Sequence, residues 1–186
     1  MKKVTKILVL FVISLQATCS LFAETKSVGT TSGLYLNKAY NTLEKQALYV
    51  YIDGYANTYF KAKDCFMTPT GYVDSSQTKE IIKKLEKGLE WAEKVRVNKI
   101  ETTKILDSFF MKVKGRTQGI RLTFISKDKG KMSGIMFGIK DFNNQFAYCV
   151  LYMNMTEVKE LIAIVKKVPE TYKELLKDRE KADILN

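Results

Sequence analysis

No histidine occurs among the 186 residues of this chain. That absence removes Ser-His and Cys-His nucleophilic sites, histidine general bases and most zinc sites in one step. Glycine-rich phosphate loops and nucleophile elbows are missing too. Proline occurs only twice, and after Glu24 no long Ser/Gly or acidic run interrupts the sequence. Arginine is scarce: only Arg96, Arg116, Arg121 and Arg179 stand among 31 basic residues. Phosphate-reading surfaces favour arginine's planar fork, whereas scattered lysine is a solvated point charge. The net charge of +11 therefore reads first as a lysine-rich solvated surface, and second as a surface for an anionic partner.

Unbroken apolar runs are few, and one sits at the start. Met1-Lys2-Lys3-Val4-Thr5-Lys6 is basic, and the nine residues Ile7–Leu15 are apolar apart from Ser14. Small residues follow in Ala17-Thr18-Cys19-Ser20, and Ala23 precedes the polar Glu24-Thr25-Lys26. This is the layout of a bacterial-type secretory signal peptide. Nine residues are too few for a transmembrane helix, which needs ~20. The expectation is that residues 1–23 are removed and the chain works in the periplasm or outside. Cleavage there leaves 163 residues of charge +8, with no transmembrane helix and enough length for one domain. An alternative is lipid attachment at Cys19, which would anchor the chain to a membrane; Gln16 stands where a lipoprotein signal usually has an aliphatic residue.

Cys65 and Cys149 remain after cleavage. In an oxidising compartment an even pair invites a disulfide. Cys149 also lies in the apolar run Phe146–Tyr152, where a free cysteine is a common small core residue. Both readings stand. Neither cysteine has a C-x-x-C partner, so a redox motif is not expected.

Residues 24–33 (Thr25 to Gly33 reads TKSVGTTSG) have the composition of a short flexible leader, with a single α+β domain expected over 34–186. That domain contains an echo at an offset of 80. Tyr72-Val73-Asp74-Ser75-Ser76-Gln77-Thr78-Lys79-Glu80-Ile81-Ile82 aligns without a gap to Tyr152-Met153-Asn154-Met155-Thr156-Glu157-Val158-Lys159-Glu160-Leu161-Ile162. Each segment reads as a strand end, an N-cap and a helix start, with Ser76 and Thr156 as the expected caps. Strand patterns precede both helices. Gly33–Asn37, Ala47–Asp53, Thr58–Asp64 and a weaker Phe66–Val73 come first. Ile105–Val113, Gly119–Ser126, Met132–Lys140 and Gln145–Met153 come second, with turns at 115–118, 127–130 and 141–144. Short turns imply antiparallel pairing.

The first helix is expected over Gln77–Val97, where Ile81, Leu85, Ala92 and Val95 form one stripe; the second runs Glu157–Val168. Pro169 suits the first turn of a C-terminal helix within 169–182. The result is a tandem ββββα-ββββα layout, with half-repeats over 34–98 and 105–168 and the helices on one side of antiparallel sheet. In layout, though not in sequence, this resembles the ββββα repeats of Pur-alpha and whirly nucleic-acid-binding proteins. No diagnostic motif of either family is present, so the resemblance implies fold only.

Ser76-Gln77-Thr78-Lys79 matches S-x-x-K, but its companion motifs are missing and an N-cap explains the same letters. Asp53, Asp64 and Asp141 lie near strand ends without a paired-carboxylate spacing. Trp91 falls at the edge of its helix stripe, which suits half-buried packing. The pattern that does carry chemistry is an aromatic-basic strand face. With Leu48, Val50 and Ile52 inward, Tyr49 and Tyr51 point outward; with Phe60 and Ala62 inward, Tyr59, Lys61 and Lys63 do the same. Rings interleaved with cations suit sugars, nucleobases or acidic proteins, although outward tyrosines also simply cover their neighbours.

The sequence thus points to an exported, non-catalytic binding module with no cofactor and no metal. Its expected partner is an anionic envelope component: protein, glycan or lipid head group. Nucleic acid is not expected, because export separates the two. The alternative is a small secreted hydrolase with a carboxylate, Tyr and Lys site.

Overall fold

Alternating burial along the strands produces a sheet with one apolar face, which the computed structural model describes over residues 24–37, 41–63, 65, 69–141 and 148–184. The expected signal segment 1–23 with Cys19, residue Asp64, residues 66–68 of the weaker strand, and residues 142–147 lie outside the described residues. Strands β1 (Thr25–Asn37), β2 (Thr42–Asp53), β3 (Thr58–Ala62) and β4 (Thr70–Val73) lead into helix α1 (Ser75–Asn98). Strands β5 (Thr102–Val113), β6 (Arg116–Lys127), β7 (Met132–Asp141) and β8 (Tyr148–Asn154) lead into α2 (Met155–Lys166) and α3 (Val168–Ile184). The strands form one sheet in the order β4-β3-β2-β1-β8-β7-β6-β5, antiparallel throughout. This is an α+β architecture.

The two meanders join only where β1 meets β8, through the pairs Leu34↔Tyr152 and Tyr35↔Leu151. Past that seam the sheet folds over on its apolar face. Phe60 of β3 and Phe137 of β7 bring their rings to 5.2 Å, and β4 packs on β6 and β7. The approach is close enough that a side chain on Gly71 would come within 2.5 Å of Ile120. Glycine is needed there for space. The helices complete the core on the same face: α1 lies over β5, β6 and β7, while α2 rests chiefly on β1. Each half therefore buries its helix partly against strands of the other half. Ile81, Leu85, Ala92 and Val95 of α1 and Val158, Leu161, Ile162 and Val165 of α2 are all buried.

Residues 25–33, expected as a flexible leader, are instead strand. They form most of β1, paired with β2 from Thr25↔Asp53 onward. Their small size has a packing cause: α2 crosses so closely that a side chain on Gly29 would come within 3.0 Å of Ile164, and Thr31 Oγ1 donates to Glu160 at 3.0 Å. Lys26 ties the same strand to α3 through Asp178 at 2.8 Å and Glu174 at 3.3 Å.

The helix caps lie two residues earlier than expected. Asp74, not Ser76, caps α1: its carboxylate accepts from the Gln77 amide at 2.8 Å, and Gln77 Oε1 accepts from the Asp74 amide at 3.2 Å. Ser76 instead donates its hydroxyl to Asp74 at 2.7 Å. Asn154, not Thr156, caps α2 through the same reciprocal pair with Glu157. A side chain that accepts from the third residue on closes both orphan amides at once, which a hydroxyl inside the first turn cannot do. The turn expected at 115–118 is tighter: Lys114 and Gly115 alone connect β5 to β6, at φ 48° and 78°. Two left-handed central residues match the right-handed twist of a hairpin.

Candidate binding face on the outer sheet surface

Opposite the helices the sheet keeps an outer face. Its β2–β4 part holds the expected residues. Register pairs Tyr51 with Tyr59 and Tyr49 with Lys61, so these four share that face, and Lys63 follows opposite Ala47 with its amide on the Ala47 carbonyl at 3.1 Å. The tyrosines are half-buried and both lysines are exposed.

One member was missed. Tyr72 pairs with Tyr59 on β4 and extends the group into a row across three strands. Ring centroids are 5.0 Å apart for Tyr51–Tyr59 and 5.1 Å for Tyr59–Tyr72, with interplanar angles of 15° and 26°. Tyr49 joins beside Tyr51 at 6.2 Å. The spacing follows the distance between neighbouring strands, so the rings stack on one another. That changes their chemistry from the sequence expectation. The inner ring faces are used within the row; a ligand meets ring edges, hydroxyls and the faces at the ends. The alternation of Gly71 and Val73 inward with Tyr72 outward would have found this residue, had the short strand been trusted.

Burial pushes the Tyr59 phenol above the ordinary tyrosine range; the Thr25 hydroxyl bonded to it pulls the other way, while Tyr51 and the Asp53 charge add to the rise. Tyr72 rises for the same leading reason, with Tyr59 and Asp53 adding to it. Both hydroxyls therefore stay protonated at neutral pH and remain donors. Thr25 belongs to the segment expected as leader, so that segment helps to build the face.

Cys65 and Cys149 are joined in a disulfide between the end of β3 and β8, with both residues buried. It ties the folded-over halves together. Trp91 is half-buried, edge-on to Phe124 at 5.7 Å, with the Lys87 and Lys104 ammonium groups 5.1 and 5.4 Å from its ring. The two described carboxylates near strand ends, Asp53 and Asp141, are held in local bonds. Asp53 accepts from the Tyr55 and Asn57 amides at 2.9 Å and from Asn57 Nδ2 at 3.0 Å, holding the β2–β3 turn. Asp141 is buried beside Gln118 and Arg116. Among the described residues no group of three metal-ligating side chains converges, and no helix is long and apolar enough to cross a membrane.

These elements define an α+β protein with a helix-covered inner face and an aromatic-basic outer one. No family model matches the chain, and no curated protein matches it. It is similar to a solved structure from work on mutations in SsgB that correlate with longitudinal cell division during sporulation of Streptomyces coelicolor. The two share 8% identity at a TM-score of 0.36, over 82% of this chain and 95% of that one. So loose a likeness carries nothing about function.

Proposed function

We propose that this is an exported, non-catalytic envelope protein that binds an anionic partner through the outer face of β2–β4. The observation that carries the reading is the row of four stacked tyrosines flanked by Lys61 and Lys63 on a face that no described helix covers. A pre-stacked row loses little entropy on binding, because its rings already hold one another in place. The Tyr59 and Tyr72 hydroxyls, kept protonated by burial, donate hydrogen bonds, and the two lysines supply charge without the rigid fork of arginine. That combination suits an acidic glycan or an acidic protein surface. Export rests on the signal-type residues 1–23, and the Cys65–Cys149 disulfide accords with an oxidising compartment. The hydrolase alternative lacks support: Asp53 and Asp141 are engaged in structural bonds, and no observation favours a carboxylate pair.

An envelope pull-down decides the binding reading. Tyr49→Ala with Tyr51→Ala, and Lys61→Glu with Lys63→Glu, should each lose the captured partner while the fold is kept. Undiminished capture by both double variants leaves the face as plain sheet surface. N-terminal sequencing of the native protein tests export: a start near Glu24 supports it, lipid on Cys19 moves the protein to a membrane, and an intact Met1 refutes it.

A further inference from the structure

The end of the molecule formed by the α1 C-terminus and the β6–β7 turn combines exposed apolar side chains with unpaired lysines. Helix α1 stops at Lys99, which adopts the left-handed conformation at φ 54° and returns its amide to the Val95 carbonyl. Val97 and Ile100 flank the stop and are 65% and 45% exposed. The β6–β7 turn packs directly on it. A side chain on Gly130 would collide with the Val95 carbonyl, the Ser126 hydroxyl donates to the Ile100 carbonyl at 2.9 Å, and the Lys129 amide donates to Glu101 at 2.9 Å. Met132, just past the turn, is 60% exposed. Single exposed apolar residues are ordinary, but Val97 and Ile100 stand on either side of one fixed helix stop; Met132 shares the other side of the sheet with Gly134 and Met136.

Cations outnumber carboxylates around them, with Glu90 and Glu101 outside any ion pair among the described residues. Glu93 is held by Arg96 at 2.6 Å, Asp128 by Lys131 at 3.8 Å, and Glu101 by the Lys129 amide. Lys94, Lys99, Lys104 and Lys127 have no carboxylate partner among the described residues. Between them opens a pocket of about 200 Å³ lined by Trp91, Val95, Ile100 and Phe124, with Lys94 and Lys104 contributing to its wall. That volume is below the usual range for a drug-sized ligand, so the pocket is better read as relief within a larger contact surface.

We propose that this end docks on an anionic lipid surface, with Val97 and Ile100 entering the headgroup–acyl boundary and the lysines without a carboxylate partner meeting the headgroups. Lysine's flexible stem and point charge suit diffuse headgroup charge, and each lysine held near such a surface strengthens attachment severalfold. Apolar residues seated among cations are the pattern of a protein lying on a membrane interface. Charge complementarity chooses the occupant: an uncharged surface would leave the lysines unused. The proposal does not depend on the tyrosine row, which belongs to β2–β4 of the other half.

Trp91 is the only tryptophan, so its fluorescence reports on this end alone. The test uses the chain from Glu24 onward, which contains every described element and omits the apolar residues 7–15. Sedimentation with vesicles of mixed phosphatidylglycerol and phosphatidylcholine, compared with phosphatidylcholine alone, should show binding only to the mixture, weaker as salt rises, with a blue shift of Trp91 emission. Lys94→Glu with Lys104→Glu should weaken that binding at least about tenfold. Val97→Asp with Ile100→Asp should abolish the shift; all four positions are exposed, so the fold is expected to survive, and circular dichroism checks it. Tyr49→Ala with Tyr51→Ala should leave vesicle binding unchanged. Equal binding to both vesicle types, insensitivity to the lysine changes, or loss of vesicle binding in the tyrosine variant would each overturn the proposal. So would a Trp91 response to soluble decanoate or glycerol phosphate without any sedimentation, which would make this a small-ligand pocket.

Discussion

Both halves of the sheet present tyrosines on the outer face, yet hold them in different ways. In β2–β4 the cross-strand neighbour of a tyrosine is another tyrosine or a lysine, and the rings stack into a row. In β7–β8 the register partners are Met136 for Tyr152 and Lys140 for Tyr148, and the rings lean diagonally toward glycines. The Tyr152 ring fills the space a Gly134 side chain would take, 2.6 Å from that position, and Tyr148 lies over Gly138 at 3.4 Å, in ordinary contact range. A ring beside glycine covers backbone; a ring beside another ring leaves its edge and hydroxyl for a partner. The surface a ring rests on, another ring or diagonal glycine backbone, separates contact from cover.

The largest expected effect is on what holds the two halves together. Replacing Cys65 and Cys149 with alanine opens a link spanning 84 residues and should lower stability by roughly 4–5 kcal/mol, read from denaturant midpoints. Two free thiols in the native protein under non-reducing denaturation would contradict the bond itself. Next comes Gly134→Val, which should cost about 3 kcal/mol because the added methyls meet the Tyr152 ring and the Met153 carbonyl. An unchanged thermal midpoint would mean that the ring does not depend on the glycine.

Binding should separate the halves more finely. Tyr49→Ala with Tyr51→Ala is expected to weaken partner capture about tenfold, an amount equal to ~1.4 kcal/mol, whereas Tyr148→Ala with Tyr152→Ala should not. Equal losses would erase the distinction between row and cover. Within the first half, Lys61→Glu with Lys63→Glu should matter most at low salt, since exposed charges are screened as salt rises.

The smallest effect concerns the caps. Asp74 is held below the ordinary aspartate range chiefly by the Gln77 amide, then by the Ser76 hydroxyl. A depressed carboxylate contributes stability above its unfolded value, and that contribution is lost as pH falls through its lowered folded value. Asn154, in the same role on α2, does not titrate. Acid should therefore loosen the Asp74 bond to the Gln77 amide at the start of α1, and Asp74→Asn should remove that pH dependence; Asp74→Ala should cost about 1 kcal/mol at neutral pH. Amide exchange at Gln77 and Glu157 across the acid range is the measurement.

Much of the architecture was legible in the residues. Period-2 alternation located the β2 and β3 cores and the meander of β5 to β7, and a 3.6-residue stripe placed the buried faces of α1 and α2. The echo at an offset of 80 marked two equivalent helix starts, although the capping residues within it were Asp74 and Asn154 rather than the hydroxyl residues two places on. Alternation also put Tyr49, Tyr51, Tyr59, Lys61 and Lys63 on one face, because which side a strand residue takes is a local property.

What lies beside what was decided only in three dimensions. Thr25 to Gly33 has no apolar alternation to announce a strand; its small and polar residues make sense only with α2 pressed against Gly29 and Thr31. Tyr72 becomes part of a row only when β4 pairs with β3, and Cys65 meets Cys149 only when the sheet folds over on its own apolar face. Local pattern sets the side of the sheet on which a residue appears. The pairing of distant strands, which depends on how the whole apolar face can be buried at once, sets its neighbours.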